Sequence, residues 1–320
     1  MAALNRWLRD LFGGGRGSEG AASVGPTRGA VPSTVLETAP GLEIREPVSL
    51  LPSDGGPVAG DVTGAFRVGS KTHTGKVRDH NEDAVLVLTS HLDATPTSPD
   101  FGLFMVADGM GGHQNGEAAS ALALRVSAGQ LVNQVYVSLL AGADRGANQP
   151  ALTDVIRDAV VQANRVVSQR LPGSGCTLTC GMVVGGRLFI GHVGDSRAYV
   201  RRADGSLVKL TRDHTFVNRL IEVGQITAED AVQHPQRNVL YRAIGQPEDL
   251  EVDVVTRSLA HGDRLLLCSD GLWNLLPDKA ISDLASLADP QAACDALVDA
   301  ANAAGGIDNI SVVLVELARH

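Results

Sequence analysis

The sequence has few cysteines and no long apolar run, and each shortage excludes a class of protein. Its four cysteines form no CxxC pair and no zinc-ligand spacing with histidine, which indicates buried thiols in a reducing compartment. No uninterrupted apolar stretch reaches the roughly 18 residues that span a bilayer, and residues 1–12 lack the continuous apolar core of a secretory signal. We therefore expect a cytoplasmic protein.

Basic clusters are also missing. The net charge is −9, from 27 basic and 36 acidic residues, and no basic run is long enough to bind a phosphate backbone. We expect no nucleic acid partner. The chain has 320 residues, 44% of them hydrophobic, which is enough for one large domain or two small ones with a substantial core.

The first 60 residues differ from the rest of the chain. Residues 1–12 predict a short amphipathic helix, because four apolar residues recur at i, i+3, i+4 and i+7. Those residues are Leu4, Trp7, Leu8 and Leu11. Three turns of helix are marginal alone in water, so this stripe either docks on a protein or membrane surface or remains nascent structure. Residues 13–60 hold 11 Gly and 6 Pro, which predicts a disordered linker.

Residues 61–320 are regular and form the predicted folded domain. Helical patterns cover Gly116–Leu140, Leu152–Leu171 and Asp278–Ala304, and strand patterns cover Cys176–Arg201, Glu251–Thr256, Asp263–Ser269 and Asn309–Leu317. Turns at Gly185–Gly186 and Asp204–Gly205 divide the first strand region, which predicts a β-meander there. Strands grouped with strands and helices with helices predict an α+β fold of antiparallel sheets covered by helices.

Five acidic residues stand where apolar runs begin or end. They are Asp83, Asp108, Asp195, Asp270 and Asp308. In antiparallel sheets the end of one strand lies beside the start of its neighbour, so all five can share one rim. A lone aspartate at a strand end is usually a turn residue or a helix cap, but five in matched positions favour a cation site. Oxygen ligands without His or Cys suit Mg²⁺ or Mn²⁺.

The motifs around these acids share their order with a known family. They read RDHNEDA (78–84), ADGMGGH (107–113), VGDSRAY (193–199), CSDGLWNLL (268–276) and DNISVVLV (308–315). Each motif alone is weak, but the set resembles the metal-dependent protein phosphatases, the type 2C serine/threonine family, and especially its compact bacterial members. The resemblance runs from about residue 66 to the end of the chain. It implies a four-layer αββα sandwich of two packed antiparallel sheets flanked by helices.

The resemblance also implies two or three bound Mn²⁺ or Mg²⁺ ions. Asp83 and Asp108 match ligands of a two-metal centre, in which Asp108 bridges both ions and the carbonyl of Gly109 completes one shell. Glu82 matches a position that contacts metal through water.

Asp270 and Asp308 match the ligands of the second ion. Asp195, with Asp270, resembles the site of a third and more weakly held ion. The implied reaction is in-line attack on phosphorus by a water that the two ions activate.

Two further residues have implied catalytic roles. Arg78 matches the family's phosphate-binding arginine, whose planar fork can hold two phosphate oxygens. Members outside bacteria place a proposed proton donor directly after the Asp-Gly pair, where this chain has Met110. His113 lies three residues later and is a general acid, a donor to another ligand, or only a turn residue. Arg197 is expected to form a structural ion pair.

Residues 211–245 resemble the flap of the bacterial members, which lies beside the metal cleft. Their apolar pattern supports a small helical insert, and Thr227 with Asp230 is typical of a helix N-cap. The segment is therefore either a structural insert or a mobile lid over substrate.

These features predict a phosphatase that hydrolyses phosphoserine and phosphothreonine in proteins, acts as a monomer and opposes a serine/threonine kinase. Two alternatives remain open. One is a catalytically idle module that binds phosphoproteins through the same fold, although such a module does not need the acidic cluster. The other is a different metallohydrolase, such as a phosphodiesterase.

Overall fold

Apolar runs of the sequence form the strands, and amphipathic segments form the helices. The computed structural model describes residues 66–91, 100–111, 114–142, 149–246 and 249–317. The strands are β1 (Phe66–His73), β2 (Asp83–Ser90), β3 (Phe101–Met110), β4 (Gly175–Cys176), β5 (Leu178–Val184), β6 (Arg187–Val193), β7 (Arg197–Arg201), β8 (Leu207–Lys209), β9 (Asp253–Ser258), β10 (Arg264–Cys268) and β11 (Ile310–Leu317). The helices are α1 (Gln114–Leu131), α2 (Val137–Leu140), α3 (Leu152–Arg170), α4 (Phe216–Glu222), α5 (Ala228–Val232), α6 (Asp270–Trp273), α7 (Asp278–Leu284) and α8 (Pro290–Ala303).

The strands form two sheets. Sheet one has the order β1-β11-β10-β7-β8, and sheet two has the order β2-β3-β5-β6-β9, with β4 paired to β3. Every pairing between the strands given above is antiparallel. A π-helical turn, Val132–Tyr136, joins α1 to α2, so the predicted helix over residues 116–140 is continuous but locally widened.

The fold has four layers, helices, sheet, sheet and helices, with an apolar core between each pair of neighbours. The three cores arise because successive side chains along a strand point to opposite faces of its sheet. In β3, Leu103 and Met105 face α1 and α3, whereas Phe104 and Val106 face the other sheet. In sheet one, β11 divides its residues in the same way between α8 and the centre of the sandwich. Strands buried on both faces read as continuous apolar runs, because every second residue reaches a different core. The predicted αββα sandwich is confirmed.

The predicted β-meander over residues 176–201 is wrong in one respect. The hairpin between β5 and β6 turns at Gly185–Gly186 as expected, and β7 and β8 form a second hairpin at residues 202–206. Between the two hairpins the chain leaves sheet two and enters sheet one. Gly194, with φ of +109°, redirects the backbone at this crossover. Asp195 therefore lies where the two sheets meet and not at the tip of a hairpin.

Residues 211–245 carry two short helices, as the apolar pattern predicts. Thr215 caps α4 by accepting a hydrogen bond from the amide of Asn218, and Thr227 and Asp230 form a reciprocal capping box on α5. The segment returns to sheet two through a pair of hydrogen bonds between Cys176 and Ile244.

The described residues all lie in one unit of the chain, Gly60–His320. The predicted helix over residues 1–12 and the linker over residues 13–60 are outside the described residues and stay predictions. Among the helices given above, none is both long and apolar enough to cross a bilayer.

A prediction concerns the contact between α8 and sheet one. A Cβ at Gly69 would overlap the carbonyl of Pro290, where Gln291 also bonds the backbone of Ser70. We expect Gly69→Ala to lower stability by about 1–3 kcal/mol, seen as a lower Tm by calorimetry. Gly129→Ala is the matched control. Gly129 is exposed in α1 with nothing near its Cβ position, so this change should stabilise by about 0.5–1 kcal/mol. Equal Tm values for Gly69→Ala and the native chain would contradict the close packing.

Candidate metal centre

Strand ends from both sheets meet around one cleft of about 920 Å³. Its lining includes Arg78, Glu82, Asp108, Asp195, Asp270 and Asp308. Asp108 comes from sheet two, Asp270 and Asp308 flank strands of sheet one, and Asp195 lies at the crossover. The structure thus brings four of the five aspartates to one rim.

The fifth aspartate, Asp83, lies behind this rim. It begins β2 directly opposite Asp108 in the antiparallel register, and it is buried. The hydroxyl of Ser269 donates to its Oδ2 at 2.7 Å. Its Oδ1 is buried without a hydrogen-bond partner in the described part of the chain. Such an oxygen is costly unless a cation or a proton occupies it.

The backbone around Asp108 is held on both sides. Its amide donates to Thr177 Oγ1 at 2.9 Å, and the amide of Thr177 donates to the Asp108 carbonyl at 2.8 Å. Beside it, the amide of Gly109 donates to the carbonyl of Glu82 at 3.1 Å. A Cβ on Gly109 would overlap the carbonyl of Gly116, so close backbone approach explains the glycine.

Asn309 fixes the loop between β1 and β2. Its side-chain amide donates to the carbonyl of His80 at 2.9 Å, and its Oδ1 accepts from the amide of Glu82 at 2.8 Å. The loop that carries Arg78 and Glu82 is thereby tied to the start of β11, next to Asp308.

Arg78 lies at the edge of the cleft, and about half of its side chain is exposed. Its Nη2 donates to Asp308 Oδ2 at 2.8 Å, and the exposed fractions of the two side chains are 53% and 29%. The bond to Asp308 raises the pKa of Arg78 above its ordinary value. The guanidinium has five N–H donors, so it can bind Asp308 and a further anion together.

Asp270 is the first residue of α6. Its Oδ2 accepts a hydrogen bond from Asn274 at 3.1 Å, whereas its Oδ1 is buried with no partner within the described ranges. The centre therefore has two orphaned carboxylate oxygens, one on Asp83 and one on Asp270.

Burial and mutual repulsion perturb these acids. Burial first, and then the charges of Asp270 and Asp308, raise the pKa of Asp83 to about 7, while burial and Asp308 raise the pKa of Asp270 to about 6. Burial and neighbouring carboxylates also raise the pKa of Asp108 and of Asp195 well above the usual range. In each case burial and the other carboxylates disfavour the ionised form more than the nearby hydrogen bonds and arginines favour it.

The donor set fits a hard divalent cation. It consists of carboxylate oxygens, with the Gly109 carbonyl beside them and no His or Cys among the predicted ligands. Mg²⁺ and Mn²⁺ prefer such oxygens, and a cation would satisfy the orphaned atoms of Asp83 and Asp270.

Three other predicted residues have different outcomes. Arg197 forms the expected ion pair, with Asp213 at 2.7 Å. Met110 lines the cleft. His113 is outside the described residues, so its role stays a prediction.

Sequence reasoning missed four residues that position the acids: Thr177, Ser269, Trp273 and Asn309. Ser269 and Asn309 are adjacent to predicted ligands, and Trp273 lies in the same motif as Asp270. For these three residues, their closeness in sequence to predicted ligands was the signal that could have identified them.

An acidic, all-oxygen cleft of this kind is typical of enzymes that use divalent cations, among them the metal-dependent hydrolases. A family model for protein phosphatase 2C matches residues 76–303. The serine/threonine phosphatase stp of Listeria innocua is 36% identical over 247 residues, which are 77% of this chain and 94% of that protein.

Two solved structures have the same fold. The serine/threonine phosphatase PstP/Ppp of Mycobacterium tuberculosis superposes with a TM-score of 0.66 at 33% identity, covering 79% of this chain and 99% of the other. The catalytic domain of PstP in complex with two manganese ions gives 0.65 at 32% identity, with the same coverage. The chain belongs to the protein phosphatase 2C family.

A second prediction concerns stability without metal. Because folding raises the pKa of Asp83 to about 7 and of Asp270 to about 6, the folded chain binds more protons than the unfolded chain between pH 4 and 7. Stability of the metal-free protein should therefore fall as pH rises through this window. Saturating Mn²⁺ should largely remove that fall.

Thermal unfolding from pH 5 to 7.5 measures how Tm changes with pH, once in chelator and once in Mn²⁺. Asp83→Asn should flatten the slope in chelator. A metal-free Tm that rises with pH, relative to the Mn²⁺ series, would contradict the repulsion at this centre.

Proposed function

We propose that this chain is a Mn²⁺- or Mg²⁺-dependent phosphatase that hydrolyses phosphoserine and phosphothreonine in proteins. The observation that carries the proposal is the pair of orphaned carboxylate oxygens on Asp83 and Asp270, within an acidic cleft that Arg78 borders. The substrate class follows the names of the relatives, which are serine/threonine phosphatases.

Each acid has a proposed role in holding the cations. Asp83, Asp108 and the carbonyl of Gly109 would hold one ion, and Asp108, Asp270 and Asp308 would hold the other. When bound, the cations supply the acidity that activates water and the positive charge that neutralises phosphoryl oxygens. Glu82 orients water at the edge of the centre. Asp195 and Asp270 would hold a third ion.

Arg78 orients the phosphoryl group. Its bond to Asp308 fixes one side of the guanidinium beside the metal ligands, so its other donors can reach two oxygens of one phosphate. A phosphate bound by those donors would lie next to the cation ligands, and such positioning lowers the entropic cost of a reaction.

The cleft suits a phosphorylated protein segment. Asn238 and Leu240 of the flap form one wall, and Val77 lies on the β1–β2 side. A cleft of about 920 Å³ can admit a phosphorylated side chain with its flanking backbone. We propose that the chain acts as a monomer.

The cellular setting is part of the proposal. A phosphoserine phosphatase requires a serine/threonine kinase that supplies its substrate, so we propose that such a kinase acts on the same proteins. The four cysteines are free and buried, which supports a reducing, cytoplasmic location.

The test is metal removal. Protein stripped of divalent cations should hydrolyse neither p-nitrophenyl phosphate nor phosphothreonine peptide, and Mn²⁺ should restore both. Asp108→Asn should bind Mn²⁺ less tightly and lower kcat by at least about 100-fold. A diester substrate should be turned over far more slowly than the monoester. An idle binding module would bind the phosphopeptide without hydrolysis under all conditions, and full activity in chelator would overturn the metal mechanism.

Arg78→Ala should raise KM for phosphopeptide and also lower kcat, with kcat/KM reduced by about 10- to 100-fold. Saturating Mn²⁺ should be used, because Arg78 contacts the candidate ligand Asp308. Arg78→Lys should recover part of the loss, since a lysine keeps the charge but not the fork. Arg67→Ala is the control, because this arginine pairs with Glu316 on the far part of sheet one. Kinetics equal to the control would place Arg78 outside the reaction.

A further inference from the structure

One indole N–H connects the backbone of Asp195 to the helix that carries Asp270. Trp273 is the last residue of α6, and its Nε1 donates to the carbonyl oxygen of Asp195 at 3.1 Å. Asp270 is the first residue of that same four-residue helix. The two aspartates come from different parts of the fold, and this bond links the backbone of Asp195 to the helix that begins at Asp270.

Arg197 stacks on the indole ring of Trp273. The guanidinium carbon of Arg197 lies 3.5 Å from the ring centroid of Trp273. Asp213 binds that guanidinium through two bonds, from Nε at 3.1 Å and from Nη2 at 2.7 Å, and Tyr199 accepts a third at 3.0 Å. Arg197 and Asp213 are 16% and 9% exposed, so the stacking and the ion pair are poorly screened.

This arrangement is more specific than core packing requires. A buried Trp usually finds one acceptor for its N–H, and any nearby carbonyl would satisfy it. Here the acceptor is the one residue of the crossover whose carboxylate lines the cleft. The crossover between β6 and β7 lies outside both strand ladders, so other bonds hold it. The amide of His214 donates to the Gly194 carbonyl at 2.8 Å, and side-chain bonds hold the next two residues. Thr177 holds the neighbouring Ser196 at 2.7 Å, and Trp273 holds Asp195.

We propose that Trp273 is a positioning residue for the cation that Asp195 and Asp270 share. Its N–H fixes the Asp195 backbone relative to α6, and Arg197 fixes the indole plane. This inference rests on the proposed function, because it requires that these two acids bind a cation in addition to the other ligands.

The first experiment counts Mn²⁺ bound to the full chain, by electron paramagnetic resonance of the free ion. Trp273→Phe keeps a ring for Arg197 and removes the N–H. The weakest Mn²⁺ should lose about 3- to 10-fold in affinity, the range for one hydrogen bond, while the tighter ions stay within twofold. Asp195→Asn should lose the same ion. Trp273→Phe added to Asp195→Asn should cause no further loss, because the two residues act through one site.

Unchanged binding of every ion in Trp273→Phe would overturn the inference, as would additive losses in the double variant. The inference would also be overturned if the native chain bound no Mn²⁺ beyond the tighter ions. Native protein that binds Mn²⁺ but shows no metal-dependent hydrolysis would instead refute the proposed function, so the two failures are distinguishable.

A second measurement leaves the site intact. The sequence has two tryptophans, so Trp7→Phe makes Trp273 the sole indole reporter. Paramagnetic Mn²⁺ should quench its emission over the concentrations at which the weakest ion binds, and diamagnetic Mg²⁺ should not. Asp195→Asn should abolish this quenching. Emission that stays constant while the weakest Mn²⁺ binds would contradict the assigned contact.

Discussion

Repulsion between the carboxylates of Asp83, Asp108 and Asp270 is the constraint around which this structure is arranged. Burial removes much of the water that would otherwise screen these groups, so their pKa values rise. Within the described part of the chain, one oxygen of Asp83 and one of Asp270 have no hydrogen-bond partner. A fold that keeps such a cluster needs a rigid backbone around it. Cation binding then converts an unfavourable arrangement into a favourable one.

The rigidity comes from bonds between distant parts of the chain. Thr177 holds Asp108, Ser269 holds Asp83, Asn309 holds the loop of Glu82, and Trp273 holds Asp195. Most of these bonds fix backbone or buried oxygens and leave other carboxylate oxygens facing the cleft. The acids are therefore positioned by neighbours that are not themselves proposed ligands.

Much of this arrangement was predictable from sequence. The apolar runs that begin or end at the acids predicted strands, and antiparallel pairing predicted that Asp108, Asp270 and Asp308 can share one rim. The crossover at Gly194 was not predictable, because a strand buried on both faces reads the same in either sheet. The positioning residues were also hidden. Thr177 lies 69 residues from Asp108, and Ser269 lies 186 residues from Asp83, so no local pattern links them.

The middle core of the sandwich has a consequence for ion selection. Asp83 and Asp108 belong to sheet two, whereas Asp270 and Asp308 flank strands of sheet one. The apolar residues between the sheets, among them Phe104, Ile190 and Val313, therefore set the distance between the two halves of the proposed ligand set. Mg²⁺ demands near-ideal octahedral geometry, so its binding depends on how the oxygens are spaced. The thickness of an apolar layer, with no polar contact to the cleft, is thus one determinant of which metal ion the acids accept.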